Sequence, residues 1–169
     1  MSWFWRPTPD PVGAGQESVW NYPRTPLAQR VRRRAVLRHA GILIADTDDL
    51  VRMLEIGHPP TYYLPRAAFD ANVLVNGKGQ TWCEWKGVAS YLDLVVPGAD
   101  RLVSVGWWYP RPDPRYLELT DRVALYAEPL DCVTLDGERV TPQPGGFYGG
   151  WITPDVVGPF KGVPGSSWW

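Results

Sequence analysis

Apolar and polar residues alternate along much of this chain, and the alternation predicts β-strands. Between Arg32 and Arg38 the apolar Ala35 and Leu37 are interleaved with arginines, which is the period of a strand with one buried face. Further strands are predicted at four aromatic and β-branched runs, at residues 81–85, 89–96, 101–109 and 122–126. Because candidate strands recur about every 8 to 12 residues, the pattern predicts an all-β domain with at most short helical turns.

Two stretches contain turn residues. Asp136-Gly137 separates the short runs VTL at 133–135 and ERV at 138–140, so these predict a β-hairpin. Residues 46–49, with the sequence DTDD, predict a turn or a helix cap, and residues 50–56 fit either a strand or one short helix. The periodicity does not choose between those two alternatives.

The composition predicts one folded domain, flanked by a Pro-rich segment and a segment rich in Gly and aromatic residues. The chain has 169 residues, of which ten are Trp, eight Tyr, 17 Gly and 18 Pro, so strand formers and turns dominate. We predict a Pro-rich arm at 1–26, a domain at 27–145 and a Gly/aromatic tail at 146–169. The tail is expected to dock on the domain or on a partner chain, since its aromatic rings are costly to leave in water. The arm is expected to be pinned to the domain by Trp3, Trp5, Trp20 and Tyr22.

Charge and cysteine content exclude several classes of function. The formal net charge is -1, and strand alternation divides the arginines of residues 30–38 between two faces, so we expect no nucleic-acid partner. The chain shows neither an apolar run long enough for a membrane span nor a secretory signal, so we expect a cytoplasmic protein without a membrane partner. Two cysteines and two histidines form no zinc motif, and we expect no metal and no cofactor.

The stretch from Glu17 to Tyr126 resembles the bacterial domain-of-unknown-function family 427. Five pieces carry the resemblance: ESVWNYP at 17–23, IADT at 44–47, LEIGHPPTYYLP at 54–65, TWCEWKGVASY at 81–91 and WYP at 108–110. The chain departs from the family pattern at Glu84, where a Pro is expected, and at Gly57, where a small hydroxyl residue is commoner. The fourth piece is the most specific of the five.

The resemblance implies a fold, and one departure from its zinc-binding relatives leads us to expect no zinc site. It implies a β-tent, in which two antiparallel sheets are pinned at one edge, similar to zinc-binding relatives that hold their metal on paired Cys-x-x-Cys knuckles. Here the corresponding piece is Cys83-Glu84-Trp85-Lys86, with a lysine in place of the second thiolate, so we expect no zinc. The family sometimes carries a nucleotidyltransferase-like label, which we do not adopt for this chain. The acidic Asp46-Thr47-Asp48 lacks the Gly-Ser lead-in of such enzymes and is interpreted as an exposed turn.

Cys83 and Lys86 form the best chemical hypothesis. An ammonium near a thiol favours the thiolate, which is the nucleophilic form. In a regular strand these two side chains face opposite ways, so they converge only if a turn or bulge at 84–87 breaks the alternation. The alternative is that Cys83 is a small buried apolar residue and Lys86 a solvated turn residue. Cys132 is interpreted as a core residue.

A loop and a set of rings complete the candidate site. His58 and Glu55 flank Gly57 before a Pro-Pro corner and could act as acid and base, or could bond to backbone and to Arg52. The aromatic candidates for an apolar pocket are Tyr62, Tyr63, Tyr91, Trp107 and Tyr109.

Three functions remain open at this point. The first is a small-molecule-binding protein whose aromatic pocket adjoins the Cys-x-x-Lys turn. The second is an enzyme that uses Cys83 as nucleophile, or His58 and Glu55 as acid and base, on a bound small molecule. The third is an interaction module in which the tail completes a homodimer.

Overall fold

The alternating segments form strands in the computed structural model, which describes residues 6–169. The strands are β1 (Glu17–Ser18), β2 (Leu27–His39), β3 (Ile42–Leu54), β4 (Thr61–Pro65), β5 (Leu74–Cys83), β6 (Gly87–Leu94), β7 (Leu102–Trp108), β8 (Arg122–Leu125), β9 (Cys132–Leu135), β10 (Glu138–Arg139), β11 (Thr141–Pro142), β12 (Trp151–Ile152) and β13 (Val156–Val157). Short 3-10 helices lie at Val19–Asn21, Arg66–Ala68, Pro114–Leu119 and Ser166–Trp168. The all-β prediction is confirmed. None of the helices in the described residues has the length and apolar character that crossing a membrane requires.

Nine strands form one antiparallel sheet in the order β10-β9-β2-β3-β4-β8-β7-β6-β5. Its two halves meet at β4, which pairs with β3 through residues 61–63 and with β8 through Leu64 and Pro65. A single five-residue strand therefore joins two antiparallel halves. The tent-like arrangement that the resemblance implies stays a prediction.

The β2–β3 hairpin corrects the expectation of a turn at residues 46–49. The chain reverses earlier, at Ala40 and Gly41, which have φ values of 50° and 74° and form a two-residue hairpin turn. Residues 46–49 lie inside β3 because arginines on β2 face their carboxylates. Arg34 contacts Asp46 at 2.6 Å and Arg32 contacts Asp48 at 3.2 Å. Such cross-strand pairs satisfy acidic residues that would otherwise disfavour a strand.

Both faces of the sheet carry buried side chains. Along β3 and β4, Leu50, Tyr62 and Leu64 enter the larger core, whereas their neighbours Val51 and Tyr63 enter a second, smaller cluster. The two clusters follow from the two-residue period of a strand. The second cluster includes Ala89, Tyr109, Tyr116 and Ala124, and Cys83 and Trp107 pack against it. The candidate site lies on this second face.

The two termini pack against each other and against the sheet. β1 pairs in parallel with β13, and the Nε1 group of Trp20 donates a 2.7 Å hydrogen bond to the carbonyl of Pro159. The ring of Trp151, which is 1% exposed, stacks on Tyr62 with 5.4 Å between centroids. The tail thus lies on the domain of its own chain, and association of two copies stays a prediction. Trp3 and Trp5, which were expected to pin the arm, lie outside the described residues.

Candidate functional site

The turn between β5 and β6 breaks strand alternation at the predicted place. β5 ends at Cys83 and β6 begins at Gly87, whose φ of 104° is readily adopted by glycine. The backbone N–H of Asp113 donates to the carbonyl of Lys86 at 3.0 Å and holds the turn in place. The side chains of Cys83 and Lys86 consequently line the same cavity.

This cavity has a volume of about 310 Å³ and walls made largely of aromatic rings. The Nε1 group of Trp107 donates a hydrogen bond to the Tyr63 hydroxyl at 3.3 Å, and these two rings meet edge to face. The ring of Tyr126 lies 4.9 Å from that of Trp107, and its hydroxyl donates to the carbonyl of Phe147 at 3.0 Å. The walls are therefore held in place by contacts among the rings themselves.

Lys86 places an ammonium in these aromatic surroundings. Its side chain is half-buried, and Nζ lies 6.0 Å from the centroid of the Tyr109 ring. Burial acts to lower the pKa of the Lys86 amine, but the neighbouring Tyr63, Cys83 and Glu55 outweigh it and leave that pKa above its usual value. The amine is thus charged at neutral pH. Within residues 6–169 it forms neither a hydrogen bond nor an ion pair.

His58 is held as a neutral imidazole. Burial, and then the charges of Lys161 and Lys86, lower its pKa to about 3. The Gln143 side-chain amide lies 3.0 Å from Nδ1 of His58; its Nε2 also donates to the carbonyl of Lys161, and its Oε1 accepts from the N–H of Gly150. These two backbone partners orient the amide so that its NH₂ group donates to Nδ1. The remaining proton of the imidazole is therefore on Nε2.

Glu55 also lines the cavity, and the alternative partner named for it is engaged elsewhere. Arg52 forms an ion pair with Glu17, and its Nε donates a 2.6 Å hydrogen bond to Gln29. Its guanidinium is therefore not paired with Glu55. The cavity therefore contains one carboxylate and one ammonium that do not form an ion pair with each other among the described residues.

A family model described as "Domain of unknown function (DUF427)" matches residues 27–136, about two thirds of the chain. The chain belongs to this family. No curated protein matches it. The matched region begins at the first residue of β2 and ends in the β9–β10 turn, so it contains the Cys-x-x-Lys turn and the loop of His58 but not Gln143.

The structure of this DUF427 protein brings together most of the side chains that the sequence singled out. They line one cavity: Glu55, His58, Tyr63, Cys83, Lys86, Tyr91, Trp107 and Tyr109. Tyr62 is not among them, because neighbouring residues of β4 face opposite sides of the sheet. It lies in the larger core, where its hydroxyl accepts a 3.1 Å hydrogen bond from Arg33.

Several cavity residues were missed by sequence reasoning. Trp82 and Tyr126 lie on predicted strands, and their aromatic character was the available signal. Others lie between β11 and β12, beyond the matched region, in a stretch without periodicity: Gln143, Phe147, Tyr148 and Gly149. The pairs Gly145-Gly146 and Gly149-Gly150 on either side of Phe147-Tyr148 were the one local hint of a closely packed loop. We name residues 143–150 the closing loop.

Other chemical candidates lie away from the cavity. The carboxylates of Asp46 and Asp48 are paired with arginines of β2, as described above. Across the part of the chain that the structure describes, no three His, Cys, Asp or Glu side chains converge into a possible metal site. Cys132 lies on β9, half-buried, and is not a lining residue.

Proposed function

We propose that this DUF427 protein binds a small molecule with a flat apolar body in the cavity beside the Cys-x-x-Lys turn. One observation carries the proposal: several aromatic rings line one cavity of about 310 Å³ together with the polar side chains of Lys86 and His58. Ligand sites are concave, mostly apolar and provided with a few polar groups that set orientation. The volume suits a ligand of one or two rings.

The neutral imidazole supports binding more than proton transfer. An imidazole with a pKa of about 3 is a weak base and takes up a proton poorly at neutral pH. As a hydrogen-bond donor at Nε2, however, His58 has a defined tautomer that Gln143 sets. The cavity thus offers one charged and one neutral donor to a ligand, together with stacking surfaces from Tyr63 and Trp107.

Two exposed tryptophans allow a direct test. Trp82 and Trp168 are 74% and 79% exposed, but Trp82 lines the cavity and Trp168 does not. In ¹H–¹⁵N spectra with assigned indole signals, a fragment library of flat aromatic compounds is expected to shift Trp82 and Trp107 and to leave Trp168 unchanged. Fragments that shift all three equally, or none at millimolar concentration, would refute binding in this cavity.

A second candidate function is nucleophilic catalysis by Cys83. It is favoured because the thiol lines the same cavity as the Lys86 ammonium, and because Cys83 is among the groups that raise the pKa of Lys86. Attack of the Cys83 sulfur on the acyl carbon of a bound ester would form a thioester C–S bond while the ester C–O bond breaks, and the alcohol would leave with the proton of the thiol. Cys132, which does not line the cavity, is the internal control for testing this function.

A further inference from the structure

Lys86 is a half-buried cation that lines the cavity without an ion pair. Lys161 and Arg66 are likewise half-buried and unpaired among the described residues, but neither lines the cavity. Three arginines removed from solvent are paired instead. The guanidinium of Arg122 pairs with Asp49 at 2.8 Å, and that of Arg33 pairs with Asp136 at 2.7 Å and with Asp155 at 2.9 Å. Arg52 pairs with Glu17. For Lys86 no such partner occurs within residues 6–169, although its side chain is half-buried. A charge withdrawn from water is costly unless it is paired, so this ammonium favours any anion that enters the cavity.

The charges that face the cavity limit how much negative charge it accepts. Among the described lining residues Lys86 is the only cationic side chain, and Glu55 contributes a carboxylate. His58 is neutral, and its Nε2–H adds a donor without adding charge. A monoanion and a dianion would both meet the Lys86 ammonium and the Glu55 carboxylate, but the second charge of a dianion would find no cation of its own among these lining residues.

The walls define the rest of the ligand. Tyr63, Trp107 and Tyr109 present ring surfaces, and the hydroxyl of Tyr63 already accepts from the indole of Trp107. The hydroxyl of Tyr126 is bonded to the carbonyl of Phe147. Because the indole N–H of Trp107 and the hydroxyl of Tyr126 are both donating within the protein, these two rings offer mainly apolar contact, and the charge recognition falls to Lys86 and His58.

We infer that the ligand is a small aromatic monocarboxylate, whose carboxylate binds the Lys86 ammonium and the Nε2–H of His58 while its ring lies between the aromatic walls. This inference rests on the proposed function, because it specifies the chemistry of the molecule that the same cavity holds.

A matched pair of probes separates charge recognition from ring binding. 2-Naphthoate and 2-naphthamide have the same ring and nearly the same shape, and they differ in charge. Calorimetric titration of the full chain is expected to give at least tenfold tighter binding of 2-naphthoate. The Lys86→Met variant is expected to lose that preference while keeping its affinity for 2-naphthamide. Lys78→Met, on the exposed part of β5, is the control and is expected to bind both probes as the unmodified chain does.

The outcomes separate the monocarboxylate inference from the proposed small-molecule binding. Equal affinities for the two probes, or a preference that survives in Lys86→Met, would overturn the monocarboxylate inference and leave small-molecule binding intact. Absence of binding by both probes at millimolar concentration would overturn both. If Lys86→Met lacks the circular dichroism spectrum and unfolding midpoint of the unmodified chain, Lys86→Gln replaces it, and the same preference must disappear there.

Discussion

Gly149 lies so close to Trp107 that a Cβ atom on the glycine would stand 2.2 Å from Cη2 of the indole ring. This contact joins the closing loop to the cavity wall, because both residues line the cavity. The backbone of the loop is thus packed closely against the Cη2 edge of the ring, and no side chain larger than hydrogen fits there without movement.

Gly149→Ala is therefore expected to displace the loop or the ring. Inserting a methyl group into a closely packed contact costs about 1–3 kcal/mol, and the free energy of unfolding in urea should fall by that amount. The indole signal of Trp107 should shift in the same variant. Gly13→Ala is the control, since its Cβ would approach only the end of the flexible Gln16 side chain, at 3.0 Å. A Gly149→Ala variant as stable as the control would show that the contact is not close in solution.

The buried Trp151 makes the tail part of the folded core. It is 1% exposed, stacks on Tyr62 and donates from Nε1 to the carbonyl of Leu125 at 3.1 Å. Trp151→Ala should lower the free energy of unfolding by about 3–5 kcal/mol. Trp168→Ala, at a residue 79% exposed, should change it by less than about 0.5 kcal/mol. Similar losses in the two variants would contradict the packing described for the tail.

The strands and the corner at residues 84–86 could be predicted because local features specify them. Alternation gives the strands, and Gly87 after Lys86 marks the break that lets Cys83 and Lys86 share a cavity. The acidic residues at 46–49 could not be placed correctly, since their strand conformation depends on arginines of β2 that face them only after the hairpin forms. Here tertiary pairing overrides local turn preference.

The local sequence also could not predict which face of the sheet Tyr62 lies on. Tyr62 and Tyr63 are adjacent and chemically identical, and only their register in β4 assigns one to the core and the other to the cavity. The contacts of the closing loop could not be predicted from the local sequence either. Its residues have no period, so the contacts of Gln143 with His58 and of Gly149 with Trp107 arise from the folded chain alone.

His58 makes stability dependent on pH. Its pKa is lowered from 6.5 to about 3, chiefly by burial, so between these values the unfolded chain binds a proton that the folded chain does not. The stabilising contribution is complete above pH 6.5 and is lost as the pH falls toward 3. Between pH 7 and pH 5 the free energy of unfolding should fall by about 2 kcal/mol.

His58→Gln isolates this contribution. Urea unfolding at pH 7 and pH 5 should show a much smaller pH-dependent loss in His58→Gln than in the unmodified chain. His39→Gln, measured in parallel, should retain the loss, because His39 lies at the end of β2 and away from the cavity. Identical pH profiles for His58→Gln and the unmodified chain would mean that the imidazole is not held neutral.

The two cysteines offer an internally controlled test of chemical reactivity. Cys83 and Cys132 are both half-buried, but only Cys83 lines the cavity that contains the Lys86 ammonium. Because an adjacent ammonium favours the thiolate, iodoacetamide at pH 7 is expected to label Cys83 several-fold faster than Cys132, as quantified by mass spectrometry of peptides. In Lys86→Met the labelling of Cys83 should slow while that of Cys132 stays the same. If Cys83 is labelled faster but the rate is unchanged in Lys86→Met, access alone explains the difference. Equal, slow labelling of both residues would remove the nucleophile hypothesis and leave binding as the role of the cavity.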